Sequence, residues 1–192
     1  MKNEEFIKVQ FRESLEVLHS FISSNQFTEI DRAITWMTDS VLNGNKIISC
    51  GNGGSMSDAM HFAEELSGRY RNDRPSIAAI SISDPSHLSC VANDYGYDVV
   101  FSRFIEGIGK EGDILLGIST SGNSKNVIKA VEKAKEMGIK TVVLTGKDGG
   151  MLAKIADLEI RAPHSTYADR AQEIHIKVIH TLIGGIEKSL GY

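Results

Sequence analysis

His61 and Glu65, four residues apart, share one face of any helix that carries them, and both side chains move protons or bind metal ions near neutral pH. On most helices such a pair is only a solvated surface pair. Here it follows the stretch Cys50-Gly-Asn-Gly-Gly-Ser55, where Gly51, Gly53 and Gly54 permit positive φ and let a ligand approach the amides. Ser55 is placed to cap the next helix, whose free N–H groups and positive dipole end attract an anion or a polarised hydroxyl. A tight turn with a good cap would look similar. Two other readings fail on the letters: Met56 stands where a dinucleotide fingerprint needs its third glycine, and no lysine follows Gly54 as a P-loop requires. Nor does His-x-x-x-Glu match the His-Glu-x-x-His order of zinc proteases.

A second group of reactive side chains stands at Ser119-Thr-Ser-Gly-Asn-Ser124. Four hydroxyls, those of Ser119, Thr120, Ser121 and Ser124, can surround a phosphate together with backbone amides. A serine-rich linker has a similar composition, but a linker does not lie between a buried strand and a long helix. Gln172 and His180 are eight residues apart in the last predicted helix and so lie on nearly one face, from which His175 is displaced and is expected outside the site. Asn93 and Asp94 open a turn-like Asn-Asp-Tyr-Gly run and could hydrogen-bond a sugar hydroxyl, while Arg69, Arg71 and Arg74 crowd together as at a phosphate site.

The elements that must position these groups follow from periodicity. A helical stripe of Ile7, Phe11, Leu15, Leu18 and Ile22 is widened by Phe6, Val9, Val17 and Phe21; a second stripe of Ile30, Ile34, Met37 and Val41 closes at Asn43-Gly44. This hairpin, residues 1–44, is wide enough in its apolar arc to serve as a subunit interface. From residue 45, strands alternate with helices: strands at 46–50, 77–82, 113–119, 140–144 and 158–162, and helices at 56–66, 86–92, 99–108, 125–137, 151–155 and 167–190. The helix after the first strand shows Met56, Met60, Ala63 and Leu66 at helical spacing. That alternation predicts a three-layer, doubly wound parallel α/β sheet in one domain of residues 1–192, with ligands at the carboxyl ends of the strands, where both serine-bearing loops fall.

Whole-chain properties bound the function. With 192 residues, 41% hydrophobic and 24% charged, one well-packed domain is expected, and eighteen glycines suit many strand-to-helix turns. A net charge of −4 argues against a nucleic-acid surface. Cys50 and Cys90 lie in or beside apolar stretches and are expected reduced and buried, in a cytoplasmic protein. No apolar run reaches membrane length, and the start Met-Lys-Asn-Glu-Glu lacks the pattern of a signal peptide.

Together these letters carry a resemblance. The loop Ser119–Ser124 resembles the phosphosugar-binding loop of sugar isomerase (SIS) domains. With Cys50–Ser55, His61-x-x-x-Glu65, Asn93-Asp94, Leu144-Thr-Gly-Lys-Asp-Gly-Gly150 and Asp169-x-x-Gln172 through His180, the chain is similar to the bacterial phosphoheptose isomerase family over its full length. It departs from some of them at Met56-Ser57, where they carry His-Cys. The resemblance implies a cytoplasmic homotetramer that converts sedoheptulose 7-phosphate to D-glycero-D-manno-heptose 7-phosphate, toward the activated heptose of lipopolysaccharide core. By position it assigns phosphate binding to Ser119, Thr120, Ser121 and Ser124, and sugar binding to Asn52, Gly53, Gly54, Ser55, Asn93, Asp94 and Gln172, with Glu65 also at the substrate. Glu65 and His180 match the catalytic pair, and a zinc ion, one per subunit, would fall on His61, Glu65, Gln172 and His180.

The chemistry agrees with those roles. Aldose–ketose isomerisation moves one proton between C1 and C2 and another between their oxygens, through an enediol. A carboxylate suits the carbon-bound proton and an imidazole the oxygen-bound one, hence Glu65 and His180 respectively. Zinc could polarise the carbonyl, although a glutamine amide is an uncommon ligand. Two other readings remain in view: a non-catalytic SIS module that binds a partner protein, such as the one for the replication initiator, and an isomerase of another sugar phosphate. A pure binding module has no need for Glu65, Gln172 and His180 together.

Overall fold

In the computed structural model, which describes residues 2–192, five short apolar runs form one sheet: β1 (Ile47–Gly51), β2 (Ala79–Ser81), β3 (Ile114–Ser119), β4 (Lys140–Thr145) and β5 (Leu158–Arg161). Their order is β2-β1-β3-β4-β5, and every neighbouring pair is parallel. The central strands are buried on both faces, which is why Ile-Ile-Ser-Cys-Gly and Ile-Leu-Leu-Gly-Ile-Ser read as continuous rather than alternating runs. Two separate cores result. Ile47, Leu116, Ile118 and Val142 point to one face, covered by α2 (Phe27–Leu42), α3 (Gly54–Ser67) and α8 (Ala168–Ser189). Ile48, Cys50, Leu115 and Val143 point to the other, covered by α4 (Pro85–Tyr95), α5 (Val100–Ile108), α6 (Lys125–Glu136) and the short α7 (Leu152–Ile155). This is the three-layer arrangement that the alternation predicts. In the second core, burial pushes the Cys50 thiol up to about 12, so it packs as an inert apolar group, whereas Cys90, expected buried, is exposed because α4 turns it away from the core that Val91 enters.

Chain direction then opens a crevice. After β1 the chain crosses through α3 to β2 on one side, and after β3 it crosses through α6 to β4 on the other; α3 and α6 lie in opposite layers. β1 and β3 are neighbours, so the loops leaving their carboxyl ends part from one another, which is where open α/β sheets bind ligands.

The N-terminal hairpin differs in its two arms. In α2, Ile30, Ala33 and Met37 are buried in the first core. In α1 (Asn3–Ser23) only Phe21 is buried, and Phe6, Ile7, Phe11, Leu15 and Ile22 are each more than half exposed, as is Phe27 at the start of α2. The apolar arc read from the sequence is therefore real, but the chain itself covers little of it.

Several boundaries move for physical reasons. Gly53, with φ 56°, caps α3, while Ser55 lies inside its first turn and is buried; the expected serine cap is replaced by a glycine one. The buried face of α3 is Ser55, Ala59, Phe62, Ala63 and Leu66, so Met60, placed in the stripe by spacing, points outward. Asp84-Pro85, read as a strand break, also starts a helix: Asp84 accepts a hydrogen bond from the His87 amide at 2.7 Å, and Pro85 fills the first turn. That helix runs to Tyr95, so Asn93 and Asp94 sit in its last turn and not in a loop; Gly96, at φ 89°, ends it. β2 has three residues where six were expected.

Candidate functional site

The serine loop is built as a closed cup. Ser119 ends β3, and its Oγ lies 2.9 Å from that of Ser124 and 3.5 Å from that of Ser121. Ser124 stands at the cap position of α6 without bonding its own helix, and its hydroxyl pairs with that of Ser119 instead. Gly122, at φ 65°, is so close to the Gly149 carbonyl that a side chain there would overlap it. The cup is also stapled from behind: the Leu152 amide donates to the Gly122 carbonyl at 3.0 Å, and the Met151 amide to Asn123 Oδ1 at 3.0 Å. Thr120 is half-buried beside the cup.

A side-chain pair that the sequence reading did not single out ties this cup to the glycine loop. Asn52 Nδ2 donates to Asn126 Oδ1 at 2.9 Å, Asn126 Nδ2 donates to Asn52 Oδ1 at 2.8 Å, and the Tyr97 hydroxyl donates to Asn52 Oδ1 at 3.1 Å. Asn126 is buried in the first turn of α6. An asparagine two residues after Ser124 was the available signal. Asn93 and Asp94 contact each other, Nδ2 to Oδ1 at 2.7 Å, and are exposed on α4 just before the turn that carries Tyr97.

The second group lies in the groove between α3 and α8. Gln172 lies against Gly54 so closely that any side chain at 54 would displace its amide. Two turns further down both helices, His61 Nε2 faces His180 Nε2 at 3.0 Å, and Glu65 Oε1 lies 3.6 Å from the same His61 nitrogen. Glu64 Oε1 lies 3.2 Å from His61 Nδ1, on the opposite edge of the ring. Ligand atoms of His61, Glu64 and Glu65 are within 4.8 Å of one another, yet only the Nε2 side converges with His180, so Glu64 does not complete that set. His61, Glu65 and His180 are thus brought together, whereas Gln172 stands about 12 Å of helix rise from His180. Burial first, and then the neighbouring His61, hold the His180 imidazole below its ordinary pKa; Glu65 opposes this, and Lys177 and Arg71 add to it.

Asp58 shares this face of α3, between Gly54 and His61, and was not foreseen. Its Oδ2 is shielded and has no hydrogen-bond partner among the described residues; burial, opposed by His61, raises its carboxyl to about 6. The folded protein then holds a proton that the unfolded chain has lost, so stability falls as pH rises from the ordinary 3.8 to about 6 and stays lowered above that. Asp58→Asn in chelator-treated protein is expected to raise the melting midpoint at about pH 8, with the gain shrinking toward pH 4. A midpoint unchanged at the higher pH would remove Asp58 from the stability balance.

Other residues take different places from those expected. Arg74 is no part of a surface patch: its side chain is fully buried, with Nε 2.8 Å from Glu187 and its guanidinium donating to the Glu65, Leu66, Gly68 and Pro75 carbonyls. Arg69 and Arg71 are exposed. His175 lies outside the groove, its Nε2 donating to the Thr145 carbonyl at 2.8 Å, and burial pushes its pKa down to about 4.

A parallel sheet whose switch point carries a hydroxyl cup at one strand end and a glycine-opened helix at the next is the organisation of a sugar isomerase domain. The SIS domain family matches residues 10–146. The phosphoheptose isomerase of Tolumonas auensis is 61% identical over 188 residues, covering 97% of this chain and 98% of that protein, and that of Vibrio parahaemolyticus is 57% identical over the same shares. Among solved structures, the phosphoheptose isomerase GmhA from Neisseria gonorrhoeae superposes with a TM-score of 0.91 at 38% identity, covering 97% of this chain and all of that one. The one from Francisella tularensis gives 0.93 at 33%, covering 98% and 100%. The chain belongs to the SIS-domain family and, within it, to the phosphoheptose isomerases.

Proposed function

We propose that the chain isomerises sedoheptulose 7-phosphate to D-glycero-D-manno-heptose 7-phosphate, a step toward the activated heptose of lipopolysaccharide core. The observation that carries this reading is the convergence of Glu65 and His180 around His61 in a fold that also holds a three-hydroxyl cup. Ser119, Thr120, Ser121 and Ser124 hold the phosphate. Asn52, Gly53, Gly54, Ser55, Asn93, Asp94 and Gln172 orient the sugar. Glu65 takes the carbon-bound proton and returns it to the neighbouring carbon; His180, kept neutral by its surroundings, carries the proton between the two oxygens.

The donor set also fits zinc: two facing imidazole nitrogens and a carboxylate are its ordinary ligands. His61, Glu65 and His180 would hold the ion, which would supply a Lewis acid at the carbonyl; Gln172, set against Gly54 two turns away, does not join them in this arrangement, and Glu65 and His180 would have to leave the ion to handle protons. We place the enzyme in the cytoplasm as a homotetramer, which gives the exposed apolar faces of α1 and α2 a covering. No helix of the described residues is long and apolar enough to cross a membrane.

The deciding experiment is turnover of sedoheptulose 7-phosphate by the purified protein, followed by NMR, before and after chelation and zinc return. Turnover lost to the chelator and restored by zinc supports both enzyme and metal. Turnover indifferent to chelation removes the metal. No turnover in any state overturns this substrate and favours another sugar phosphate or a partner-binding module.

A further inference from the structure

Among the described residues His180 makes two aromatic contacts, one with His61 and one with Tyr70. The His180 ring and that of His61 meet edge to face at 5.2 Å between centroids with a 69° angle, and it stacks with Tyr70 at 5.7 Å between centroids and 29°. The second geometry is within the range of offset aromatic stacking. Tyr70 is not in α3 or α8; it follows the end of α3, in the segment between Gly68 and Arg74.

Three features make its ring a fixed platform. Arg74 bonds the carbonyls of Glu65, Leu66, Gly68 and Pro75, so both ends of the segment are pinned to the foot of α3. Gly184, one turn beyond His180 in α8, faces the ring: a methyl group there would make an ordinary van der Waals contact with Tyr70 Cε1, at 3.7 Å. The Arg71 guanidinium lies over the tyrosine ring, 5.1 Å from its centroid. A histidine on a helix can otherwise turn about two side-chain torsions, and an imidazole that carries a proton between two oxygens must present Nε2 in one direction.

We propose that Tyr70 is a positioning residue: its ring face fixes the plane of His180, so that Nε2 is held toward His61 and the groove. The role belongs to the ring and not to the hydroxyl. This rests on His180 being the oxygen-to-oxygen proton carrier. Tyr70 does not touch the reacting atoms; it acts through His180 alone.

The test combines kinetics with a measurement of the contact. Tyr70→Ala is expected to lower kcat about 10²-fold with KM little changed, the loss typical of a misplaced catalytic group. Tyr70→Phe keeps the ring and is expected to stay within about threefold of the parent. In the ¹H NMR spectrum, the His180 ring protons, assigned through His180→Gln, lose their upfield ring-current shift in Tyr70→Ala and keep it in Tyr70→Phe. A Phe variant as impaired as the Ala variant, a rise in KM alone, or unmoved His180 ring protons would each overturn the proposal. His180→Ala is measured beside them. Turnover surviving there overturns the reading of His180 itself, and this proposal with it; an inactive His180→Ala with a fully active Tyr70→Ala overturns the role of Tyr70 alone.

Discussion

Glu65→Gln is expected to lower kcat for sedoheptulose 7-phosphate about 10³-fold while leaving the protein folded, the range that a single positioned acid or base supplies. The substitution keeps size and hydrogen-bonding shape and removes only the ability to take a proton from carbon. Glu65 is suited to that measurement because its surroundings hold it from two directions: Oε1 lies 3.6 Å from His61 Nε2, and its own carbonyl accepts from Arg74 at 2.6 Å. Gln at this position would find the same neighbours, so a melting midpoint close to the parent's should accompany the loss. Steady-state rates together with a melting curve decide it. A variant that keeps even a tenth of the parent kcat would show that another group abstracts the proton.

The second large effect concerns binding. With Ser119 and Ser124 both replaced by alanine, KM is expected to rise about 10²-fold with kcat far less changed. A hydrogen bond to a charged group contributes about 1.5–3 kcal/mol, so two at the lower bound amount to about 3 kcal/mol, and 1.4 kcal/mol corresponds to tenfold in affinity. The paired loss is expected to stay local, because the loop is held by backbone and Asn123 bonds that neither hydroxyl makes. Initial rates over a wide substrate range separate the two parameters. A fall in kcat with KM unchanged would move the phosphate elsewhere.

What the letters made legible was what has a short period or a local cause. Continuous apolar runs marked β1, β3 and β4 because those strands are buried on both faces, and helical spacing marked α1, α2 and α8. The serine loop was legible because strand, hydroxyls and helix start adjoin in sequence. His61 and Glu65 shared a face by simple counting, and that count does not depend on where α3 begins. Other features were set across the fold and could not be counted. Ser55 could not be told from Gly53 as the cap, since the choice depends on a φ of 56° at Gly53. Arg74 read as one of three surface cations; only the meeting of the α3 end with Glu187, 113 residues later, makes it a buried clamp. The Asn52–Asn126 pair joins residues 74 apart, and Tyr70 meets His180 across two elements; neither distance leaves a local trace. Asn93 and Asp94 were misplaced because an Asn-Asp-Tyr-Gly run resembles turn chemistry, while the Asp84-Pro85 start carries the helix through them.

The Arg74 clamp has an effect on motion as well as on shape. It fastens the foot of α3 to α8 through Glu187, while at the other end Gln172 rests on Gly54 with no room for even a methyl group between them. The two helices are thus braced at both ends, like a vise whose jaws are locked at a set opening. Parting them would strip a fully buried guanidinium of its carboxylate, which is among the costlier local openings a protein can undergo. Opening the groove by separating the helices therefore works against that ion pair, and the spacing between His61, Glu65 and His180 is expected to change little when a ligand binds.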